Sequence, residues 1–249
     1  MIKEITSTKN ETYKFIKSLK TKKARIASGK YTVEGIKSVK DAIAAGADID
    51  FLVLADNFDL DFYSGDIYKM PENFFAPLCD TETPQGVLAV INIPKNTKKE
   101  DSLYLFCDHV TDPGNMGTII RICDAVNCSL LLSCGCVDIY NPKTVRASMG
   151  SLFHTSISCD LEISDLESLK QNGYHLICGA LSQNTCDYKK ADYSKKTVII
   201  VGNEANGVSE EVLKLSDECV KIPIWGRAES LNVGVAAALL LYEAKQNQE

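Results

Sequence analysis

From residue 103 onward, apolar runs of strand length alternate with helical patterns, and few architectures can accommodate that alternation. The runs lie at 103–107, 130–133, 175–181 and 197–201, and each is apolar on both sides. A strand without a polar side must be covered on both faces. Helical patterns at 115–127, 162–172 and 209–216 supply the cover, which predicts an α/β fold built on a parallel sheet. A last helix at 232–246 is apolar almost all round, through Val233, Val235, Ala236, Ala238, Leu239 and Leu240. That pattern predicts burial in the core or against another subunit.

The 249 residues leave room for a second, smaller domain ahead of this one. Asn10 is read as opening a helix over 10–28, with Tyr13, Ile16 and Leu19 along one side. Strand signals at 31–33 and 51–54 flank an amphipathic helix at 35–45, and Pro71 is expected to begin another helix. Thr81-Glu82-Thr83-Pro84-Gln85-Gly86 is a turn-rich loop before a buried-strand pattern at 87–91. Residues 94–101 are polar and aperiodic and read as a linker. The expected division is therefore 1–93, the linker 94–101, and 102–249.

The formal charge of −6 argues at first against a nucleic-acid partner, but its distribution reverses that reading. Residues 1–40 hold eleven Lys/Arg against three acids, or +8, and the remaining 209 hold 16 against 30, or −14. A basic arm on an acidic body suggests an anionic polymer as partner. The ten cysteines are scattered, mostly within apolar stretches, and no Cys-x-x-Cys occurs. Reduced thiols acting as small hydrophobes in a cytoplasm are expected, and no metal centre. No apolar run reaches membrane-spanning length, and the first residues lack a signal-peptide core, so no membrane partner is expected either.

Three segments at strand carboxyl ends could carry chemistry, since open α/β sheets bind ligands there. The first is Asp112-Pro113-Gly114-Asn115-Met116-Gly117-Thr118-Ile119-Ile120-Arg121. Asn115 is read as its helix cap, and Met116, Ile119, Ile120 and Cys123 as its buried stripe. The second, Gly202-Asn203-Glu204-Ala205-Asn206-Gly207, brings backbone close to a ligand with one carboxylate at its edge. It is neither a P-loop nor a Gly-x-Gly-x-x-Gly fingerprint. The third runs from Ile222-Pro223 to Ser230-Leu231-Asn232-Val233, where Ser230 or Asn232 is expected to cap the last helix.

In residue identity and order these segments resemble the three motifs of the SpoU (TrmH) family of SPOUT-class RNA 2′-O-ribose methyltransferases. Asn141-Pro142-Lys143-Thr144-Val145-Arg146-Ala147-Ser148-Met149-Gly150 is also similar to a stretch of that family. The resemblance extends more loosely to residues 1–93, which resemble a substrate-binding domain of the ribosomal RNA-binding type. It implies a C-terminal domain with a deep trefoil knot, and a homodimer through that domain. S-adenosylmethionine is implied as cofactor, held around Leu181, Gly202, Asn203, Gly207, Ile222, Leu231 and Asn232. Catalytic roles are implied for Asn115, Arg121, Glu204, Ser230 and Asn232.

Methyl transfer to a ribose hydroxyl requires RNA, because DNA lacks the 2′-OH. Lys20, Lys22, Lys23 and Arg25 are the expected phosphate contacts in the basic arm. The two-domain layout leans toward ribosomal RNA. A tRNA methyltransferase, a non-catalytic RNA-binding protein that keeps the fold, and a nucleotide-binding metabolic enzyme are the alternatives.

Overall fold

The computed structural model describes residues 1–94, 100–180 and 185–248. Most of the expected linker, 95–99, and the expected cofactor residue Leu181 lie outside the described residues. The first elements in chain order are β1 (Ile2–Glu4), α1 (Glu11–Ser18), α2 (Lys22–Ser28), β2 (Lys30–Glu34), α3 (Ile36–Ala44), β3 (Ile49–Ala55), β4 (Ile67–Met70), α4 (Glu72–Phe75) and β5 (Val87–Asn92). Then come β6 (Leu103–Asp108), α5 (Pro113–Val126), β7 (Ser129–Ser133), α6 (Pro142–Ala147), β8 (Ile157–Leu161), α7 (Ile163–Gln171), β9 (His175–Gly179), β10 (Cys186–Asp187), β11 (Thr197–Gly202), α8 (Glu210–Leu215), β12 (Glu218–Lys221) and α9 (Val233–Gln248).

These elements form two compact units. One holds residues 1–94 together with Asp138–Phe153, and the other holds 100–137 and 154–248. The first unit is a five-stranded sheet in the order β1-β4-β3-β5-β2, in which β5 runs antiparallel to both its neighbours. Its core gathers Ile5, Tyr13, Ile16, Leu19, Val53, Met70, Phe75 and Leu88. The helix expected over 10–28 is two helices. Asn10 caps α1 as expected, but the chain turns at Leu19 and restarts at Thr21, whose hydroxyl accepts the Ala24 amide at 3.3 Å. Gly29, in the left-handed conformation at φ 65°, then ends α2.

The excursion Asp138–Phe153 docks on this first sheet through β2. Tyr140 packs on Tyr31 with ring centroids 4.6 Å apart, Arg146 meets Asp80 at 3.1 Å, and Arg25 grips Asp138. Arg25 is 2% exposed: Nε and Nη2 donate to Asp138 Oδ2 at 2.9 and 2.6 Å, and Nη1 donates to the Leu19 carbonyl at 2.7 Å.

The second unit is a seven-stranded parallel sheet in the order β10-β12-β9-β11-β6-β7-β8. Each of the four apolar runs of the sequence holds a strand, the third over His175–Gly179 of its expected 175–181. The chain starts at β6, builds outward through β7 and β8, and then returns to the other side of β6. The order reverses between β6 and β11, and the carboxyl ends of these two strands border the crevice where such sheets bind ligands. On one face α9 packs against α5 and β11. It buries Val233, Ala237, Leu240, Leu241 and Ala244 and leaves Val235, Leu239 and Tyr242 exposed.

Candidate active site

The site is assembled from loops at the reversal point, beginning with a buried carboxylate that ends β6. Asp108 is 2% exposed, and its Oδ2 accepts the Ser209 amide at 2.7 Å, tying β6 to the loop that follows β11. Its Oδ1 lies 2.6 Å from His109 Nδ1. His109 has φ 55°, its amide donates to Ser133 Oγ at 2.9 Å, and its carbonyl accepts from Asn203 Nδ2 at 2.8 Å. Beneath this fastening, burial pushes the Cys107 thiol well above its ordinary range, so it stays neutral and is no nucleophile.

The Gly-Asn-Glu-x-x-Gly segment is a loop closed on itself. Asn203 and Gly207 exchange backbone hydrogen bonds at 2.9 Å, and Asn203 Oδ1 accepts the amides of Ala205 and Asn206 at 2.9 and 3.1 Å. A Cβ on Gly202 would overlap the Gly207 carbonyl group and the Val208 nitrogen, so only glycine permits this closure. Glu204 is thereby pushed outward and exposed.

Asp112, not Asn115, caps α5: its Oδ1 accepts the Asn115 amide at 2.8 Å, with Pro113 filling the first helical position. The Asn115 side chain is therefore free for the site. Its Oδ1 accepts Asn232 Nδ2 at 2.8 Å, and its Nδ2 donates to Glu204 Oε1 at 2.9 Å. Asn232 Oδ1 in turn accepts the amides of Gly234 and Val235 at 2.9 and 3.4 Å, so Asn232 caps α9. Three residues expected from three separate motifs thus stand in one file, Asn232–Asn115–Glu204.

Arg121 is exposed on α5, six residues beyond Asn115, with no hydrogen bond or ion pair among the described residues. Ser230 is exposed two residues before Asn232. Ile222 follows β12, and Leu231 adjoins Asn232. The stripe Met116, Ile119, Ile120 and Cys123 is buried, as its spacing predicts. Asp108 and Asp112 were missed as site residues. Both carry a legible signal, a carboxylate closing an apolar strand and an acid one position before a proline-started helix.

The basic arm is more divided than its sequence implies. Lys22 and Lys23 are exposed in the first turn of α2. Lys20 donates through Nζ to the Cys79 carbonyl at 2.6 Å. Arg25, expected among the phosphate contacts, is 2% exposed, and three of its five N–H groups are bonded to Asp138 and the Leu19 carbonyl.

Adjacent strands β12, β9 and β11 carry their following loops to the same edge of the sheet. A glycine-closed loop that keeps side chains away, with Glu204 at its margin, fits a ligand recognised by main chain and carrying a positive charge.

The SpoU rRNA Methylase family model matches residues 102–242, and that of the MRM3-like substrate binding domain matches 10–89. The chain is 35% identical over 248 residues to the 23S rRNA (guanosine(2553)-2′-O)-methyltransferase RlmP of Bacillus subtilis, covering 98% of this chain and 100% of that one. It is 34% identical to the tRNA (guanosine(18)-2′-O)-methyltransferase of Aquifex aeolicus, over 61% of this chain and 72% of the relative. Among solved structures, the AdoMet-bound rRNA methyltransferase from Sinorhizobium meliloti superposes with a TM-score of 0.88 at 29% identity, covering 100% of this chain and 99% of that one.

Proposed function

We infer, from the premise that this chain belongs to the SpoU rRNA methylase family, that its substrate is ribosomal RNA. It is an S-adenosylmethionine-dependent RNA (ribose-2′-O)-methyltransferase. The observation that carries the reading is the Asn232–Asn115–Glu204 file at the reversal point, with Arg121, unpaired among the described residues, on the same helix as Asn115. Ribosomal RNA is favoured over tRNA because the match to the rRNA enzyme runs the full length of both chains, whereas the tRNA enzyme matches 61% of this one.

S-adenosylmethionine supplies an electrophilic methyl group, and Gly202, Asn203, Gly207, Ile222, Leu231 and Asn232 would hold it. The protein's main task is positioning, which can supply roughly 7–11 kcal/mol of barrier reduction. Asn115 is held at both ends of its amide, so the file keeps Glu204 and Asn232 at fixed places around the reacting ribose. Ser230, exposed in the loop ahead of Asn232, helps to orient the substrate. A guanidinium stays protonated in proteins, so Arg121 does not take the hydroxyl proton. Its fork grips the phosphate beside the target and orients the 2′-oxygen, and the proton leaves to that phosphate or to water. Residues 1–93 dock the RNA, with Lys20, Lys22 and Lys23 on phosphates, and 102–249 carry out the transfer.

The same reading includes a homodimer through the C-terminal domain. It is supported by Val235, Leu239 and Tyr242, a helical-spaced apolar stripe on α9 that is 48%, 37% and 50% exposed. The reading also includes the deep trefoil knot that the SpoU resemblance implies. Ten cysteines that form no disulfide support a reducing cytoplasm, and no described helix is long and apolar enough to cross a membrane.

The test is transfer of a labelled methyl group from S-adenosylmethionine to an unmodified 23S rRNA transcript, with 2′-O-methylnucleotide as the expected product. No transfer would overturn the reading. Arg121→Lys keeps the charge and loses the planar fork; transfer should fall at least about tenfold with cofactor binding unchanged. Wild-type rate in that variant would remove Arg121 from the mechanism.

A further inference from the structure

Trp225 is the only tryptophan of the chain, and it is 92% exposed, more than any other large apolar side chain described. It lies in the loop between β12 and α9. One end of that loop is pinned by Val220, paired in the sheet with Gly179, and the other by Asn232, bonded to Asn115. The indole is five residues from Ser230, so it stands at most about 17 Å along the chain from the reacting region. That span is a few nucleotides at most. A Cβ built on the next residue, Gly226, would meet nothing within 4 Å, and Gly226 is itself exposed. Arg227 is exposed and makes no ion pair among the described residues, although Glu229 stands in the same loop.

An indole offers a large apolar face that water does not stabilise, and one left open beside a reaction site is available to a partner. Two occupants are conceivable, a second copy of this chain and the substrate. The surroundings favour the substrate. The cores of protein interfaces are depleted of charge, and Trp225 is followed by Gly226, Arg227, Ala228 and Glu229, all exposed. The apolar stripe suited to a second copy is the one on α9. Unpaired RNA bases are recognised by stacking on aromatic rings and guanidinium planes, with basic side chains on the adjoining phosphates.

We propose that Trp225 stacks on an unpaired nucleobase of the substrate RNA next to the methylated nucleotide, with Arg227 on a neighbouring phosphate. The proposal rests on the reading that RNA is the substrate, and it makes the loop before α9 a specificity element as well as part of the site.

Because Trp225 is the sole tryptophan, emission of the full chain excited at the red edge, where its ten tyrosines do not absorb, reports on it alone. Adding an unmodified 23S rRNA transcript should quench that emission and shield the indole from acrylamide. Trp225→Ala should weaken RNA binding by roughly 5- to 150-fold, the range of base–aromatic stacking, and raise KM for RNA while leaving S-adenosylmethionine binding unchanged. Trp225→Phe should recover most of the loss. If wild type methylates the transcript but RNA changes neither emission nor acrylamide access, the stacking proposal falls and the enzymatic reading stands. An indole already shielded without RNA, and uncovered on dilution, would assign it to a second copy and overturn the proposal. Failure of the wild type to bind or methylate the transcript would remove both.

Discussion

Arg25→Met separates a structural role from an RNA contact. The substitution keeps most of the aliphatic stem and removes three hydrogen bonds, two to Asp138 Oδ2 and one to the Leu19 carbonyl. Side-chain exposure is 3% for Arg25 and 14% for Asp138, so the pair is nearly dry. Removing one member of such a pair costs about 3–5 kcal/mol, because the other charge stays behind unpaired. Asp138 keeps some water access, and its Oδ1 still accepts the Tyr140 amide at 2.9 Å, which places the cost near the lower end, about 3 kcal/mol. For a domain of this unit's size that is a fall in Tm of roughly 12 °C in the transition that melts the first unit.

Urea and thermal unfolding would read the loss, and a double-mutant cycle with Asp138→Leu would isolate the pair. The double variant should be more stable than the two single losses added together, with a coupling of about 1–3 kcal/mol. The salt dependence of RNA binding should not change. If Arg25→Met unfolds like wild type while the slope of log K against log salt falls by about one, Arg25 binds phosphate and the structural argument is refuted.

Gly202→Ala should abolish measurable S-adenosylmethionine binding by calorimetry, because its methyl overlaps the Gly207 carbonyl group and the loop cannot close; wild-type affinity would show that the closure does not matter. Lys22→Gln with Lys23→Gln should lower the RNA salt slope by roughly 1.4–1.8 with Tm preserved, and an unchanged slope would place the RNA elsewhere. Partial burial raises the Asp217 carboxyl, but the Leu176 amide at 3.0 Å and Lys170 at 2.8 Å outweigh it and hold the group below its usual range. Its contribution to stability is therefore present above the unfolded pKa of about 3.9 and lost as pH falls through the folded value. Asp217→Asn should flatten the acid limb of stability below about pH 4, and an unchanged limb would count against this.

What the sequence made legible was whatever has a local period. The four apolar runs are strands because doubly covered strands need no partner to be recognised. The stripe on α5 is buried because its spacing alone decides its face. Short elements escaped for the opposite reason. β1 is exposed at all three positions and β4 spans four residues, too few to show a period. The association of Asp138–Phe153 with the first unit has no local signature at all, since Arg25 and Asp138 are 113 residues apart and their pairing is visible only in three dimensions. Asn115 shows how two local rules compete. Asn suits a cap, but Asp112 ahead of Pro113 suits it better, and the asparagine so released joins Glu204 and Asn232 across 89 and 117 residues of sequence.

Charge obeys the same distinction between local count and three-dimensional use. The +8 of residues 1–40 overstates what can meet RNA, because Arg25, Lys30, Lys3 and Lys14 are paired with Asp138, Asp50, Asp66 and Glu11. Lys22 and Lys23 make no ion pair among the described residues, and they occupy the first turn of α2, which holds no acid. A helix N-terminus carries partial positive charge, so cations there cost stability, and a carboxylate in their place would gain about 0.3–1 kcal/mol. The proposed phosphate contacts Lys22 and Lys23 thus stand where the helix itself would prefer acids, so replacing them should preserve or raise Tm while the RNA salt slope falls.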